Sequence, residues 1–177
     1  MKHAEKKSLF RSTMFKTTLI FVLIAVAVAS LLVNLFTFVM PVVQYYGNSM
    51  NPTLEDGQIL VVNKLSDIET GDIIAFYYNN KVLVRRVVAV GSQQLSVDVF
   101  GNVTVNGTKL DEPYIENKTL GQCNLDFPFT VPAGDLFVLG DNREVSMDSR
   151  LEEIGTVSED RLIGEVVFSL SPFGSVE

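Results

Sequence analysis

The segment from Thr17 to Met40, TTLIFVLIAVAVASLLVNLFTFVM, contains no charged residue and constrains this chain more than any other feature. A helix of this length would extend about 36 Å, which is enough to cross a hydrocarbon core of about 30 Å. A cleaved secretory signal usually has an apolar core of only about 7–15 residues, so the length favours a retained helix. The sequence therefore predicts a single transmembrane helix over residues 17–40.

Charge is distributed unevenly on the two sides of this segment. Residues 1–16 carry five Lys or Arg and one Glu, whereas residues 41–177 carry nine Lys or Arg and twenty Asp or Glu. Basic flanks stay on the cytoplasmic side. We therefore expect a cytoplasmic tail (1–16), a plasma-membrane span in contact with lipid (17–40) and an extracytoplasmic domain (41–177). The net charge of −7 argues against a nucleic-acid partner.

The residue counts exclude several kinds of site. A single cysteine, Cys123, permits neither a disulfide within the chain nor a Cys-x-x-Cys zinc or redox site. A single histidine, His3, lies in the polar tail and excludes a histidine-based triad or metal centre in the outer domain. We expect no metal and no cofactor, and we interpret Cys123 as a shielded thiol.

After Met40 the pattern changes to short β-rich runs separated by Gly and Asn turn signals. Asn79 and Asn80 separate two such runs and predict a hairpin. Many short strands with such turns are typical of a β-barrel or β-sandwich, so we expect a mostly β domain. The predicted strands are 58–63, 72–78, 81–90, 95–100, 103–105, 135–139 and 162–170.

Two segments do not resemble ordinary scaffold. The first is Gly47-Asn-Ser-Met-Asn-Pro-Thr-Leu54, and the second is Gly140-Asp-Asn-Arg-Glu-Val-Ser-Met-Asp-Ser-Arg150. Taken alone, the first could be a turn with Pro52 fixing φ. The second could be a polar loop held by its own Asp–Arg pairs.

Together these segments resemble the signature boxes of the type I signal peptidases, the Ser/Lys proteases that remove signal peptides from exported proteins. The serine box of that family reads small-x-Ser-Met-x-Pro-Thr-Leu, and Gly47–Leu54 matches it. The late box reads Gly-Asp-Asn-Arg-x-x-Ser-x-Asp-Ser-Arg, and Gly140–Arg150 matches every fixed position. Weaker similarities lie at residues 105–107, 111–114, 131–134, 164–168 and 172–173, in the family order.

The resemblance implies a signal-peptidase-type β domain on an N-terminal membrane helix, with signal-peptide-bearing preproteins as substrates. It implies that Ser49 is the nucleophile and that Ser146 orients the general base, which in this family is a neutral lysine. The oxyanion would be bound by the Ser49 N–H, with help near Gly47. The substrate would lie along Val82–Arg85. The supporting polar residues implied are Asp141, Arg143, Asp148 and Arg150.

One position departs from the family pattern. The family's base is the lysine of a Lys-Arg pair, and here that pair is Arg85-Arg86. A guanidinium, with a pKa above about 12, is not deprotonated in proteins, so Arg85 cannot act as the same base. Among the remaining lysines, Lys81 lies about 13 Å further along the strand and Lys64 ends another strand, so neither is a convincing substitute.

Three functions remain open at this stage. The chain could be a signal peptidase that is weak or uses an unrecognised base, or a peptidase inactivated by Arg85. It could be a non-catalytic relative that binds secreted or pilus-type subunits during assembly. The third reading is an unrelated anchored binding module in which both boxes match by coincidence.

Overall fold

The computed structural model describes residues 2–176, with the side chains described from Met14 onward. The chain divides into two compact units, Met1–Val39 and Met40–Glu177. The first unit is a single helix, α1, Lys2–Val39. Within it, Met14–Val39 is long and apolar enough to cross a membrane. The helix begins before the expected residue 17 because Lys, Ala and Glu in the basic tail are themselves good helix formers.

The second unit is mostly β, as the sequence predicts, and its pairing is antiparallel throughout the described residues. Its strands are β1 Val42–Gln44, β2 Ile59–Asn63, β3 Ile73–Tyr78, β4 Lys81–Val90, β5 Gln94–Val97, β6 Val103–Val105, β7 Thr108–Lys109, β8 Phe129–Thr130, β9 Leu136–Leu139, β10 Leu162–Leu170 and β11 Phe173–Ser175.

The strands form two sheets. The larger has seven strands in the order β1-β2-β10-β3-β4-β9, with β11 paired to β10. The smaller has the order β7-β6-β5-β8. In the part of the chain that the structure describes, the larger sheet runs as an open path from β1 to β9 and does not close into a barrel.

The β3–β4 hairpin determines which residues face the site. Its two turn residues, Asn79 and Asn80, have φ of 45° and 61°, which is the left-handed geometry of a two-residue hairpin turn. The pairing is regular from Tyr78 opposite Lys81 to Ile73 opposite Arg86. Lys81 and Arg85 therefore lie on the same face of β4, because side chains alternate with a period of two.

Only half of β4 is paired on both sides. On the side away from β3, pairing with β9 begins at Arg86 opposite Leu139. Residues 81–85 therefore present a strand edge that no other described strand covers. An uncovered edge offers backbone N–H and C=O groups to an extended peptide.

Three apolar clusters hold the domain together. One packs Tyr45, Met50, Leu54 and Leu60 around the segment Gly47–Leu54. A second joins the two sheets through Val88, Ala89, Phe137 and Leu139 of β4 and β9 to Leu95, Val97, Val103 and Val131. The third lies on β3 and β9 around Phe76 and Val138. The loop from Gly140 to Arg150 begins directly after buried β9, which fixes where it starts.

Candidate active site

Ser49 lies in a tight turn that follows β1. Gly47 has a φ of +103°, a conformation that L side chains rarely adopt, and a Cβ added there would meet no atom within 4 Å. Glycine is therefore needed for its backbone freedom and not for space. The N–H of Gly47 donates to Asp56 Oδ1 at 2.6 Å. The Gly47 N–H therefore already has an acceptor in the structure.

The loop 140–150 is bound directly to this turn. The N–H of Asn142 donates to the carbonyl oxygen of Ser49 at 3.0 Å. The side-chain amide of Asn142 donates to the carbonyl oxygen of Asn48 at 3.2 Å. The two motif segments, almost a hundred residues apart in sequence, are therefore in direct contact.

Gly140 allows the close approach between them. A Cβ at Gly140 would lie 2.1 Å from Ser146 Oγ and 2.5 Å from the Ser49 carbonyl oxygen. Only a residue without a side chain fits between these groups. The Ser49 carbonyl oxygen and the Ser146 side chain thus both approach the position that a Gly140 side chain would occupy.

Tyr45 contacts the Ser49 side chain. Its hydroxyl lies 3.2 Å from Ser49 Oγ, and the same hydroxyl oxygen accepts the N–H of Met50 at 2.9 Å. Tyr45 is 3 % exposed and is part of the apolar core. The hydroxyl therefore reaches the serine from the protein side. The sequence analysis did not identify Tyr45 as a site residue.

The Arg85 guanidinium donates hydrogen bonds to backbone carbonyl oxygens and does not act as a proton acceptor. Its Nε and Nη2 both donate to the carbonyl oxygen of Met147, at 3.0 and 2.8 Å, and its Nη1 donates to the Val84 carbonyl oxygen at 2.6 Å. Burial lowers the pKa of this guanidinium, while the nearby Asp148 carboxylate opposes the shift. A guanidinium nevertheless stays charged at physiological pH.

Ser146 is a buried residue of the 140–150 loop. Its Oγ is buried and makes no hydrogen bond to any described atom. A buried hydroxyl without a partner is unusual and marks a position shaped for another group.

Buried ion pairs support the loop from outside as well as within. Arg86 donates from Nε and Nη2 to the two carboxylate oxygens of Asp141, at 3.0 and 2.8 Å. Arg150 forms the corresponding two-point contact with Asp148, at 2.8 and 2.7 Å. Removing one partner of such a buried pair typically costs about 3–5 kcal/mol, since the other charge is left unpaired.

The third pair uses a residue that the sequence analysis missed. Arg143 donates from Nη2 to Glu112 Oε1, and Lys118 also contacts Glu112 at 3.3 Å. Glu112 is 3 % exposed. Only the Asp148–Arg150 pair is internal to the loop, so the simple reading of a loop tied by its own pairs is incomplete. The sequence signal that could have identified Glu112 is its position in Asp111-Glu-Pro-Tyr114, one of the weaker family similarities.

Tyr114 packs against the buried guanidinium of Arg86. The Arg86 guanidinium lies 4.0 Å from the centre of the Tyr114 ring, a cation–π contact. Burial raises the pKa of Tyr114, and the neighbouring Glu112 carboxylate acts in the same direction. Tyr114 is thus a neutral, structural group at physiological pH.

A cavity of about 250 Å³ opens beside Ser49. Its lining residues are Gly47, Asn48, Ser49, Tyr78, Lys81, Leu83, Arg85, Val145, Met147 and Ile154. The cavity runs along β4, and so Lys81 lies on its wall although it is four residues from Arg85. Val145 and Met147 are exposed at 44 % and 45 %, which gives the cavity an apolar rim.

Among the residues whose side chains the structure describes, no group of three or more His, Cys, Asp or Glu is arranged to hold a metal ion. Cys123 is half-buried, and its Sγ lies 3.5 Å from the Leu125 carbonyl oxygen. His3 lies outside the described side chains.

The second unit is thus an antiparallel β domain that follows an apolar helix, and in it a serine beside a cavity contacts a loop held by buried Asp–Arg pairs. The chain belongs to the signal peptidase family, peptidase S26, whose model matches residues 14–171.

Proteins similar to this chain are named signal peptidase I. A signal peptidase I of Bacillus caldolyticus is 40 % identical over 168 residues, covering 85 % of this chain and 88 % of that protein. One of Bacillus amyloliquefaciens is 40 % identical over 167 residues, covering 86 % and 83 %. A signal peptidase I crystal structure from Enterococcus faecalis V583 is 27 % identical, with a TM-score of 0.49, and covers 58 % of this chain and 98 % of that chain.

Proposed function

We propose that this protein is a membrane-anchored serine endopeptidase that removes signal peptides from exported preproteins. The observation that carries the proposal is the assembly of Ser49 with the 140–150 loop, through the two Asn142 hydrogen bonds and the close approach at Gly140. The family membership and the names of its relatives point to the same reaction.

In this proposal Ser49 attacks the scissile carbonyl and forms an acyl-enzyme, which water then hydrolyses. The N–H of Ser49 binds the oxyanion, since the Gly47 N–H is already bonded to Asp56. The pairs Arg86–Asp141, Arg143–Glu112 and Arg150–Asp148 hold the loop rigid behind the serine.

The substrate binds as an added strand. Residues 81–85 of β4 offer an uncovered edge beside the cavity that Ser49 lines. Strand addition supplies main-chain hydrogen bonds, and pockets for alternate side chains supply selectivity. A cavity of about 250 Å³ suits the small side chains expected next to a signal-peptide cleavage site.

The helix Met14–Val39 anchors the domain in the plasma membrane, in contact with lipid. The basic N-terminal tail stays in the cytoplasm and the β domain lies outside it. With this topology, the domain would meet a preprotein on the outer face of the membrane.

The proposal is tested with the full-length protein in liposomes and a purified preprotein. We expect slow cleavage by the native protein, none by Ser49→Ala, and faster cleavage by Arg85→Lys, because a lysine can be neutral and can use the unpartnered Ser146 hydroxyl. Cleavage that survives Ser49→Ala would disprove the nucleophile. A native protein that binds preproteins or pilus-type subunits and never cleaves them would support the non-catalytic alternative.

A further inference from the structure

The cavity beside Ser49 is lined by positive charge. Two cations, Lys81 and Arg85, are among its lining residues, and none of the described residues that line it is an Asp or a Glu. The rest of the domain is acidic, because residues 41–177 carry nine Lys or Arg and twenty Asp or Glu. The cavity wall thus has the opposite sign of charge to the domain that contains it.

The two cations differ in what they are free to bind. Arg85 is 4 % exposed and already donates to the backbone carbonyl oxygens of Val84 and Met147. Lys81 is exposed, and its ammonium group forms no ion pair or hydrogen bond with another residue in the described part of the chain. An ammonium group offers three donors on a flexible stem. Lys81 is therefore the cation of this cavity that can contact a bound molecule.

The position of Lys81 on β4 determines which part of a substrate it would meet. The Arg85 end of the edge 81–85 lies at the site, because Arg85 bonds to Met147 in the loop that contacts the Ser49 turn. Lys81 lies four residues away on the same face, which is about 13 Å along the strand. A peptide that adds to this edge with its scissile bond at Ser49 places the side chain about four residues away opposite Lys81.

We propose that Lys81 selects preproteins that carry an Asp or Glu about four residues from the cleaved bond, through a salt bridge between the ammonium group and the carboxylate. This inference rests on the proposed function and names the substrate class of the same site. If the substrate strand runs parallel to β4, the acidic residue precedes the bond and belongs to the signal peptide. If the strand runs antiparallel, the acidic residue follows the bond and belongs to the mature protein.

The expected preference is small, and its sign is informative. A partly exposed ion pair contributes about a two- to fivefold preference in kcat/KM for Asp over Asn. The pair forms on binding and is unchanged during bond cleavage, so the difference lies in KM and not in kcat. The net negative charge of the domain would by itself favour a basic side chain, so a preference for an acidic one reports the local cation.

The experiment uses the full-length protein in liposomes and two series of a preprotein. One series has Asp, Asn or Lys at the fourth residue before the cleaved bond, and the other has them at the fourth residue after it. We expect the order Asp, then Asn, then Lys in one series, which also identifies the strand direction. Lys81→Glu should reverse that order and Lys81→Arg should retain it. Each ratio compares substrates on one variant, so it does not depend on how much of that variant is folded.

Two controls separate a local contact from a general charge effect. Lys109→Glu makes the same change in charge at an exposed residue of β7, in the smaller sheet and outside the cavity lining. It should keep the native order of substrates, and a shift as large as that of Lys81→Glu would overturn the local contact. The screening length falls from about 10 Å at 0.1 M salt to about 3 Å at 1 M, so the preference should shrink as salt is added.

The outcomes separate the two proposals. If the native protein cleaves in a Ser49-dependent way, but Asp and Asn substrates stay within about 1.5-fold in both series, or Lys81→Glu leaves the order unchanged, selection by Lys81 is wrong and the peptidase stands. If the native protein does not cleave, or Ser49→Ala still does, the proposed function itself fails and selection by Lys81 fails with it.

Discussion

Gly140 is the point where the two halves of the site touch, and Gly140→Ala tests that contact. The new Cβ would lie 2.1 Å from Ser146 Oγ and 2.5 Å from the Ser49 carbonyl oxygen, whereas ordinary contacts begin at 3.4 Å. The loop and the serine turn would therefore have to separate by about 1 Å. Overpacking of this kind typically costs about 1–3 kcal/mol of unfolding free energy. A displacement of about 1 Å at a reacting group can lower the rate about 10²-fold.

The assay has two readouts, chemical denaturation of the protein and cleavage of a preprotein. The control is Gly174→Ala, because a Cβ at Gly174 would meet no atom within 4 Å. We expect Gly140→Ala to be less stable and nearly inactive, and Gly174→Ala to match the native protein. A Gly140→Ala protein with native stability and rate would refute the close approach of the two segments.

Three further results are expected. Ser149→Ala should destabilise the domain by about 1–3 kcal/mol, because it removes the acceptor of a buried backbone N–H of β9. Ser146→Ala should cost little, because the Ser146 hydroxyl has no hydrogen-bond partner. Denaturation curves of both variants test this difference, and equal losses of stability would contradict the unpartnered hydroxyl. The side-chain amide of Asn102 donates a hydrogen bond to Asp98 and lowers the pKa of that carboxyl group. The stability that this bond contributes is present above the ordinary carboxyl pKa and is lost as the pH falls through the lowered pKa of the folded protein. Asn102→Ala should raise the pKa of Asp98 in an NMR titration, and an unchanged midpoint would refute this cause. Protease added outside liposomes or cells should degrade the β domain and spare the N-terminal tail, and the reverse pattern would overturn the orientation.

The longer strands could be predicted because their signals are local. The β3–β4 hairpin follows from Asn79 and Asn80, which adopt the positive φ that the sequence signal implies. The run predicted to reach Phe100 ends earlier, at Val97, because Asp98 Oδ1 accepts the N–H groups of Phe100 and Asn102 and turns the chain. Strands such as β1, β7, β8 and β11 have only two or three residues, too few to show a period of two.

The site was only partly predictable from the sequence. Motif order predicts that the two segments meet, and in the structure the Ser49 carbonyl oxygen and the Ser146 side chain both approach Gly140. The identity of Arg85 excludes a lysine-type base, but no pattern shows that its side chain bonds the Met147 carbonyl oxygen. Tyr45 precedes the motif and its hydroxyl returns to Ser49 across the turn, a contact that depends on three-dimensional packing. Glu112 likewise meets Arg143 over a separation of 31 residues.

Arg85 is the position where this site departs from the family pattern. Its guanidinium donates to the carbonyl oxygen of Met147, in the loop that holds Ser146. In our account the acyl-enzyme reaction at Ser49 is retained.

The most direct test of that reaction is to trap its covalent intermediate. The full-length protein in liposomes is mixed with a preprotein, quenched in acid at short times and mapped by peptide mass spectrometry. We predict an ester between Ser49 and the carboxyl-terminal residue of the signal peptide, present in the native protein and missing from Ser49→Ala. Cleavage without any adduct on Ser49, or an adduct on another residue, would contradict the account.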